Sequence, residues 1–145
     1  IRIWDMERRE VVRVLEGHDK PIGSLQWNQQ GDQIASRSLD GTIKFWSALR
    51  DGTPDPIVDS TNREPRVTLD WHPNGQTLCL SDQYGQHVTV WDTQNDRAVS
   101  RMQTEQGRIY NVAVSPDGNF LAAHNASGTF KIWDVDDPST KRSAS

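Results

Sequence analysis

The chain has 145 residues, 34% of them hydrophobic and 8% aromatic, with a net charge of −4. A mean hydropathy of −0.76 is low for a compact domain, yet the length and aromatic content suit a folded chain with a polar surface and exclude a disordered one. The acidic balance argues against a broad nucleic-acid or anionic-membrane footprint, the single Cys79 against an internal disulfide, and the lack of any apolar run near ~18 residues against a spanning helix.

Taken in chain order, Ile1-Arg2-Ile3-Trp4-Asp5 is a strand pattern, and Glu10 to Leu15 a second one. Because the first residue is Ile inside a motif, the chain is expected to continue upstream. A strand at Ile22 to Trp27 leads into a turn at Asn28-Gln29-Gln30-Gly31 and a second strand at Gln33 to Arg37. The tight Asp40-Gly41 turn opens a third strand, Thr42-Ile43-Lys44-Phe45-Trp46, whose alternation puts Ile43 and Phe45 on one face and Thr42, Lys44 and Trp46 on the other. After it, Asp51 to Asp59 carries Pro54 and Pro56 around Ile57-Val58, the composition of a short, irregular edge strand.

The same order returns twice. Strands are expected at Arg66 to Trp71, Thr77 to Ser81, within Gly85 to Asp92 and at Arg97 to Met102, and then at Ile109 to Val114, Phe120 to His124 and within Ser127 to Asp134. Their first turns are His72-Pro73-Asn74-Gly75 and Ser115-Pro116-Asp117-Gly118, where Pro, Asn, Asp and Gly each supply turn geometry for a different steric reason. No fourth strand is expected after Trp133, and the polar tail at 135–145 is expected to be disordered.

The strand-closing residues Trp4, Trp46, Trp91 and Trp133 are separated by 42, 45 and 42 residues. The second marker, Trp27, Trp71 and Val114, lies 19, 20 and 19 residues before each closing Trp. A period of about 40 to 45 with four strands per unit predicts an all-β fold of consecutive four-stranded antiparallel blades, as in a β-propeller. The predicted boundaries are a repeat segment at 1–134, made of a preceding blade end at 1–16 and repeats at 17–47, 61–92 and 104–134, followed by the tail. Three blades and two strands do not close a ring, which needs about four to eight blades; the segment is expected to complete one with blades from elsewhere in a longer protein.

Residues that invite a chemical reading fall on the repeat. The six Trp share two columns of the unit, so they read as structural and not as an aromatic cage. His18, His72, His87 and His124 lack the close His or Cys pairing of a zinc site, and no metal or cofactor is expected. His18, Ser36 and Asp40 are the residue types of a hydrolase triad, but no Gly-x-Ser-x-Gly elbow or P-loop accompanies them, so no catalytic residue is assigned.

Gly17-His18, the Asp40-Gly41 turn and the closing Trp-Asp pairs resemble the WD-repeat (WD40) β-propeller family over residues 1 to 134. The resemblance implies a hydrogen-bonded set in each blade of a His, a strand Ser or Thr, the turn Asp and the closing Trp. Unit one matches it with His18, Ser36, Asp40 and Trp46; unit two has Asn62, Leu80 and Tyr84 or Gly85 in the first three places, and unit three Glu105, Ala123 and Ser127. It also implies a non-catalytic protein–protein interaction scaffold, cytoplasmic, binding through the face that carries the loops before each first strand and the turns between second and third strands. On this chain that face holds Lys20 and Leu39, then Arg63, Arg66 and Tyr84, then Arg108, Tyr110 and Ala126, a basic and aromatic set suited to an acidic or phosphorylated peptide. The alternative is a sensor or docking arm of a larger signalling enzyme, a protein kinase or nucleotide-binding ATPase, whose catalytic part lies outside these residues.

Overall fold

A computed structural model describes residues 1–49, 55–57, 68–81, 86–95, 97–104, 108–135 and 141–144. A two-stranded hairpin, β1 (Arg2–Asp5) with β2 (Glu10–Val14), precedes three four-stranded sheets. The first sheet is β3 (Ile22–Trp27), β4 (Gln33–Ser38), β5 (Ile43–Ser47) and β6 (Asp55–Ile57). The second is β7 (Leu69–Trp71), β8 (Thr77–Ser81), β9 (His87–Asp92) and β10 (Arg97–Gln103). The third is β11 (Ile109–Val114), β12 (Phe120–Asn125), β13 (Phe130–Asp134) and β14 (Lys141–Ala144). Strands in each sheet pair antiparallel with their sequence neighbours, so each sheet is a meander: an all-β chain of consecutive blades that does not close into a ring. Among the described residues no helix is long and apolar enough to cross a membrane.

Alternation along the strands decides how the blades stack. Ile34 pairs with Trp46, and both pack with Leu15, Ile1 and Ile3 on the hairpin side of blade one. Ala35, Ile43 and Phe45, one residue out of phase, pack on the other side against Leu69, Trp71, Leu78, Leu80 and Trp91 of blade two. Blade two repeats the arrangement, with Cys79, Val88 and Val90 meeting Ile109, Val112, Leu121 and Trp133 of blade three. Each closing Trp therefore fills the seam with the preceding blade. The innermost strands β3, β7 and β11 lie side by side, with β7 touching both others.

At the two ends of the stack the same columns are uncovered. Trp4 is 53% exposed where Trp46 is 3% and Trp133 0%, and Phe130 is 43% exposed where Ile43 is 2% and Val88 0%. The difference is set by whether a neighbouring sheet lies against that face, since the residue types are equivalent.

The tail is where the expectation fails. Lys141–Ala144 is not disordered; it forms a fourth strand in which Lys131 pairs with Ser143 and Trp133 with Lys141. Backbone groups on the free edge of β13 accept any strand, and pairing there asks nothing of side-chain polarity. The short strand expected around Pro54 and Pro56 is present as Asp55–Ile57, paired with Ile43 to Phe45. Arg66 and Val67, expected at the start of the second unit's first strand, lie outside the described residues.

Candidate interaction face and its fastening network

Blade one carries a continuous hydrogen-bonded line across its hairpin-facing side. His18 Nδ1 lies 2.7 Å from Asp40 Oδ2 and His18 Nε2 2.7 Å from Ser36 Oγ, while Trp46 Nε1 donates to the same Oγ at 2.7 Å. One assignment satisfies every group: Nδ1–H donates to the carboxylate, Ser36 O–H donates to Nε2, and the serine oxygen accepts the indole. The imidazole also meets the Trp46 ring edge-on, with centroids 5.7 Å apart. Lys44 completes the set by donating from Nζ to Gly17 O at 2.6 Å, holding the loop that presents His18.

Asp40 is the hub of the β4–β5 turn. Burial by itself would raise its pKa, but hydrogen bonds from Thr42 Oγ1, His18, and the Thr42 and Asp19 amides outweigh it and hold the carboxyl well below the usual range. The Asp–His–Ser order matches that of a hydrolytic triad. Ser36 is 0% exposed and its oxygen is already taken by Trp46, so no substrate carbonyl reaches it.

The register shows why the other two blades differ. Ser36 pairs with Lys44, Leu80 with Thr89 and Ala123 with Lys131, so Leu80 and Ala123 occupy the serine's place. The consequence is that Trp91 Nε1 and Trp133 Nε1 are buried and, among the described residues, without a hydrogen-bond partner. Asn62, Tyr84, Gly85 and Glu105, the other aligned positions, lie outside the described residues. Blade three closes its turn by a substitute: Asn125 Oδ1 accepts Ser127 N at 3.1 Å, Ser127 Oγ at 2.7 Å and Thr129 Oγ1 at 2.9 Å. Asn125 escaped the sequence reading because it stands two positions before the aligned turn residue.

The Asp that follows a closing Trp has its own work. Asp5 Oδ1 accepts the amides of Glu7 and Arg8, and Asp92 Oδ1 those of Gln94 and Asn95, so each caps the hairpin to the outer strand. Hydrogen bonds, first among them from the Asn95 side chain, lower the Asp92 pKa.

Seams between blades are tied at the innermost strands and their turns. Trp71 Nε1 donates to Gln26 O at 3.3 Å and Gln30 Nε2 to Pro73 O at 3.3 Å, from blade two to one and from one to two. Between blades two and three, the Val114 amide donates to Asp70 Oδ2 at 2.7 Å, and His72 Nε2 donates to Gly118 O at 3.0 Å. Asp70 also stands beside Cys79, whose thiol is pushed up to about 12, first by burial and then by the aspartate charge.

The expected binding residues are divided by the structure. Lys20 is exposed and Leu39 half-buried at one end of blade one, where Ser38 Oγ donates to Lys20 O at 2.8 Å and the Leu39 amide to Pro21 O at 3.0 Å. At the equivalent end of blade three the Ala126 amide donates to Arg108 O at 2.9 Å, which puts those two residues together. Tyr110 joins them through a β-bulge: Ile109 pairs with Asn125 and Asn111 with His124, leaving Tyr110 as the extra residue. It is 48% exposed and packs edge-on against His124 at 6.2 Å. Gly23 holds the corresponding bulge of blade one. Arg63, Arg66 and Tyr84 lie outside the described residues. A cleft of about 490 Å³ opens between the hairpin and blade one, lined by Ile1, Leu15, His18, Lys20, Ile22 and Trp46 among others. Among the described residues no group of three or more His, Cys, Asp or Glu is placed to hold a metal ion.

The profile of the WD domain, G-beta repeat, matches residues 9–47 and 98–134, together more than half of the chain. Similar proteins include the Periodic tryptophan protein 2 homolog of Schizosaccharomyces pombe, 28% identical over 126 residues, covering 83% of this chain and 14% of that protein. The THO complex subunit 3 of Arabidopsis thaliana is 27% identical over 130 residues, with 85% and 39% covered. The Protein LST8 homolog of Drosophila melanogaster is 27% identical over 146 residues, with 99% and 46% covered, so the chain spans less than half the length of each of these relatives. The first matched region runs from β2 of the hairpin through β5 of blade one and the second from β10 of blade two through β13 of blade three, and the chain belongs to the WD40 repeat family.

Proposed function

We propose that the chain is a non-catalytic scaffold for protein–protein interaction, working in the cytoplasm as part of a longer protein. Its binding face is the end of the blades that carries Lys20, Leu39, Arg108, Tyr110 and Ala126, with Arg63, Arg66 and Tyr84 of unit two as further members. Tyr110 is the observation that carries this reading. A bulge lifts it out of the alternation and leaves it 48% exposed beside Arg108, an aromatic and a guanidinium at one loop end. The burial of Ser36 supports the non-catalytic part. An acidic or phosphorylated peptide is the partner whose chemistry fits Lys20 and the arginines.

The test uses the full-length protein and labelled acidic and phosphoserine peptides, read by fluorescence anisotropy. Arg108→Glu and Tyr110→Ala are each expected to weaken binding by roughly tenfold or more, the size of a hot-spot loss. Unchanged binding in both variants would exclude this face.

A further inference from the structure

The sequence contains one Asn-Gly pair, Asn74-Gly75, and it sits in the β7–β8 turn at the centre of the stack. Asn-Gly is the dipeptide in which a backbone nitrogen most readily reaches the preceding side-chain carbonyl, because glycine has no Cβ in the way. In the closed turn both reacting groups are held elsewhere. Asn74 Oδ1 accepts the Gln76 amide at 2.9 Å and the Thr77 amide at 3.0 Å, and Nδ2 donates to Thr77 Oγ1 at 3.1 Å. The Gly75 amide, the would-be nucleophile, donates to His72 O at 2.9 Å.

Neighbouring blades clasp this turn from both sides. Gln30 of blade one lies directly over Gly75 and donates to Pro73 O at 3.3 Å. His72 uses both ring nitrogens: Nδ1 accepts the Asn74 amide at 3.1 Å, and Nε2 donates to Gly118 O of blade three at 3.0 Å. The groups that keep Asn74 unreactive are thus tied to the groups that keep the seams shut.

We propose that Asn74 is a self-modifying site whose deamidation is suppressed while the seams on either side of blade two are closed and released when they part. In the reaction, the Gly75 amide nitrogen loses its proton to solvent base and attacks Asn74 Cγ. The Cγ–Nδ2 bond breaks and the side-chain nitrogen leaves as ammonia, giving a five-membered imide. Water then opens the ring at either carbonyl, to aspartate or to an isoaspartyl linkage. The two products differ in effect. Aspartate is already accommodated at the equivalent position of blade three, where Asp117 Oδ1 accepts the Asn119 amide at 3.1 Å. The isoaspartyl form adds a backbone carbon inside the turn, so Gly75 N and His72 O no longer meet and the His72–Gly118 tie is displaced. The same spontaneous reaction is silent in one branch and opens a seam in the other.

The experiment follows conversion at Asn74 by mass spectrometry of the tryptic fragment 67–97, fragmented to separate Asn74 from Asn95, after incubation of the full-length protein at mildly alkaline pH. The folded protein is expected to convert about tenfold or more slowly than the urea-unfolded protein, because reaction waits on local opening. His72→Ala is expected to move the folded rate toward the unfolded one. Gln30→Ala, an exposed side chain whose loss leaves the strands intact, is expected to do the same to a smaller degree and serves where His72→Ala does not fold. Equal rates in folded and unfolded protein, or a Gln30→Ala rate equal to wild type, would overturn the proposal.

Discussion

Asp70 and Val114 join two blades by one short bond: the carboxylate on the innermost strand of blade two accepts the amide of the innermost strand of blade three at 2.7 Å. The equivalent residues of the other blades are Gln26 and Ala113, which place no carboxylate there. Replacing Asp70 with Ala leaves the Val114 amide without its acceptor and is expected to cost about 1.5 to 3 kcal/mol, the range for a hydrogen bond to a charged group. Faster hydrogen exchange at Val114 than at Val112 in the variant, with a lower denaturation midpoint, is the expected pattern; unchanged exchange at Val114 would show that the bond does not hold the seam.

Asp40 is expected to matter far more than its aligned neighbour Ser127. Its removal strands His18, Thr42 and Asp19, and Asp40→Ala should cost on the order of 1 to 3 kcal/mol. Ser127 is exposed and among the described residues bonds within its own turn, so Ser127→Ala should stay within roughly 0.5 kcal/mol. Parallel urea series on the two variants of the full-length protein decide it, and equal losses would count against the network.

The same carboxylate sets a pH dependence. Its pKa is lower in the folded protein than in the unfolded chain, so the folded state gains stability while Asp40 is ionised in both. That contribution is complete above the ordinary carboxylate range, near pH 4, and fades as the pH falls below it toward the folded value. Asp40→Asn should flatten the acid limb of a stability-versus-pH curve, and a limb as steep as wild type would contradict the assignment.

Ala123 and Leu80 stand where blade one has its serine, yet their replacement by Ser should act in opposite directions. Ala123→Ser gives the buried Trp133 Nε1, without a hydrogen-bond partner among the described residues, an acceptor at little change of volume and should stabilise by about 0.5 to 1.5 kcal/mol. Leu80→Ser offers Trp91 the same oxygen but removes a buried leucine from the seam with blade one, a loss of roughly 2 to 5 kcal/mol that the new bond does not offset. Thermal denaturation of both variants should show one midpoint rise and one fall; two falls would mean that the alanine site lacks room for a hydroxyl.

Gly118 and Gly128 separate conformational strain from steric approach. Both have positive φ, 81° and 80°, but a Cβ on Gly118 would lie 2.5 Å from His72 Nε2 while one on Gly128 meets nothing within 4 Å. Gly128→Ala should cost only the left-handed backbone strain, about 1 to 2 kcal/mol. Gly118→Ala should cost visibly more in the same denaturation assay, and His72→Ala in the same chain should recover part of the difference.

Strand order, the four-stranded unit and the face each side chain takes were legible in the chain because period-two alternation and a period near 42 to 45 are properties of local sequence. The network of blade one was legible through the resemblance to WD repeats, which implies such a set for His18, Ser36, Asp40 and Trp46, and not through period or alternation. Asn125 and Asp70 were not: Asn125 stands two positions before the aligned turn residue, and Asp70 acts through the Val114 amide, which any residue could provide and no spacing marks. Nor was the strand at Lys141–Ala144, whose polar composition says nothing about the open edge waiting beside it.

The chain by itself determined what each blade is; tertiary structure decided how firmly each is held. Alternation assigns Trp4, Trp46 and Trp133 to one column, but their exposures of 53%, 3% and 0% follow from which sheet lies against them. Burial, the closure of Asp–His–Ser into an inaccessible line, and the release of Tyr110 by its bulge depend on contacts between residues ten or more positions apart. Such contacts are set by packing geometry and register, which no local pattern encodes.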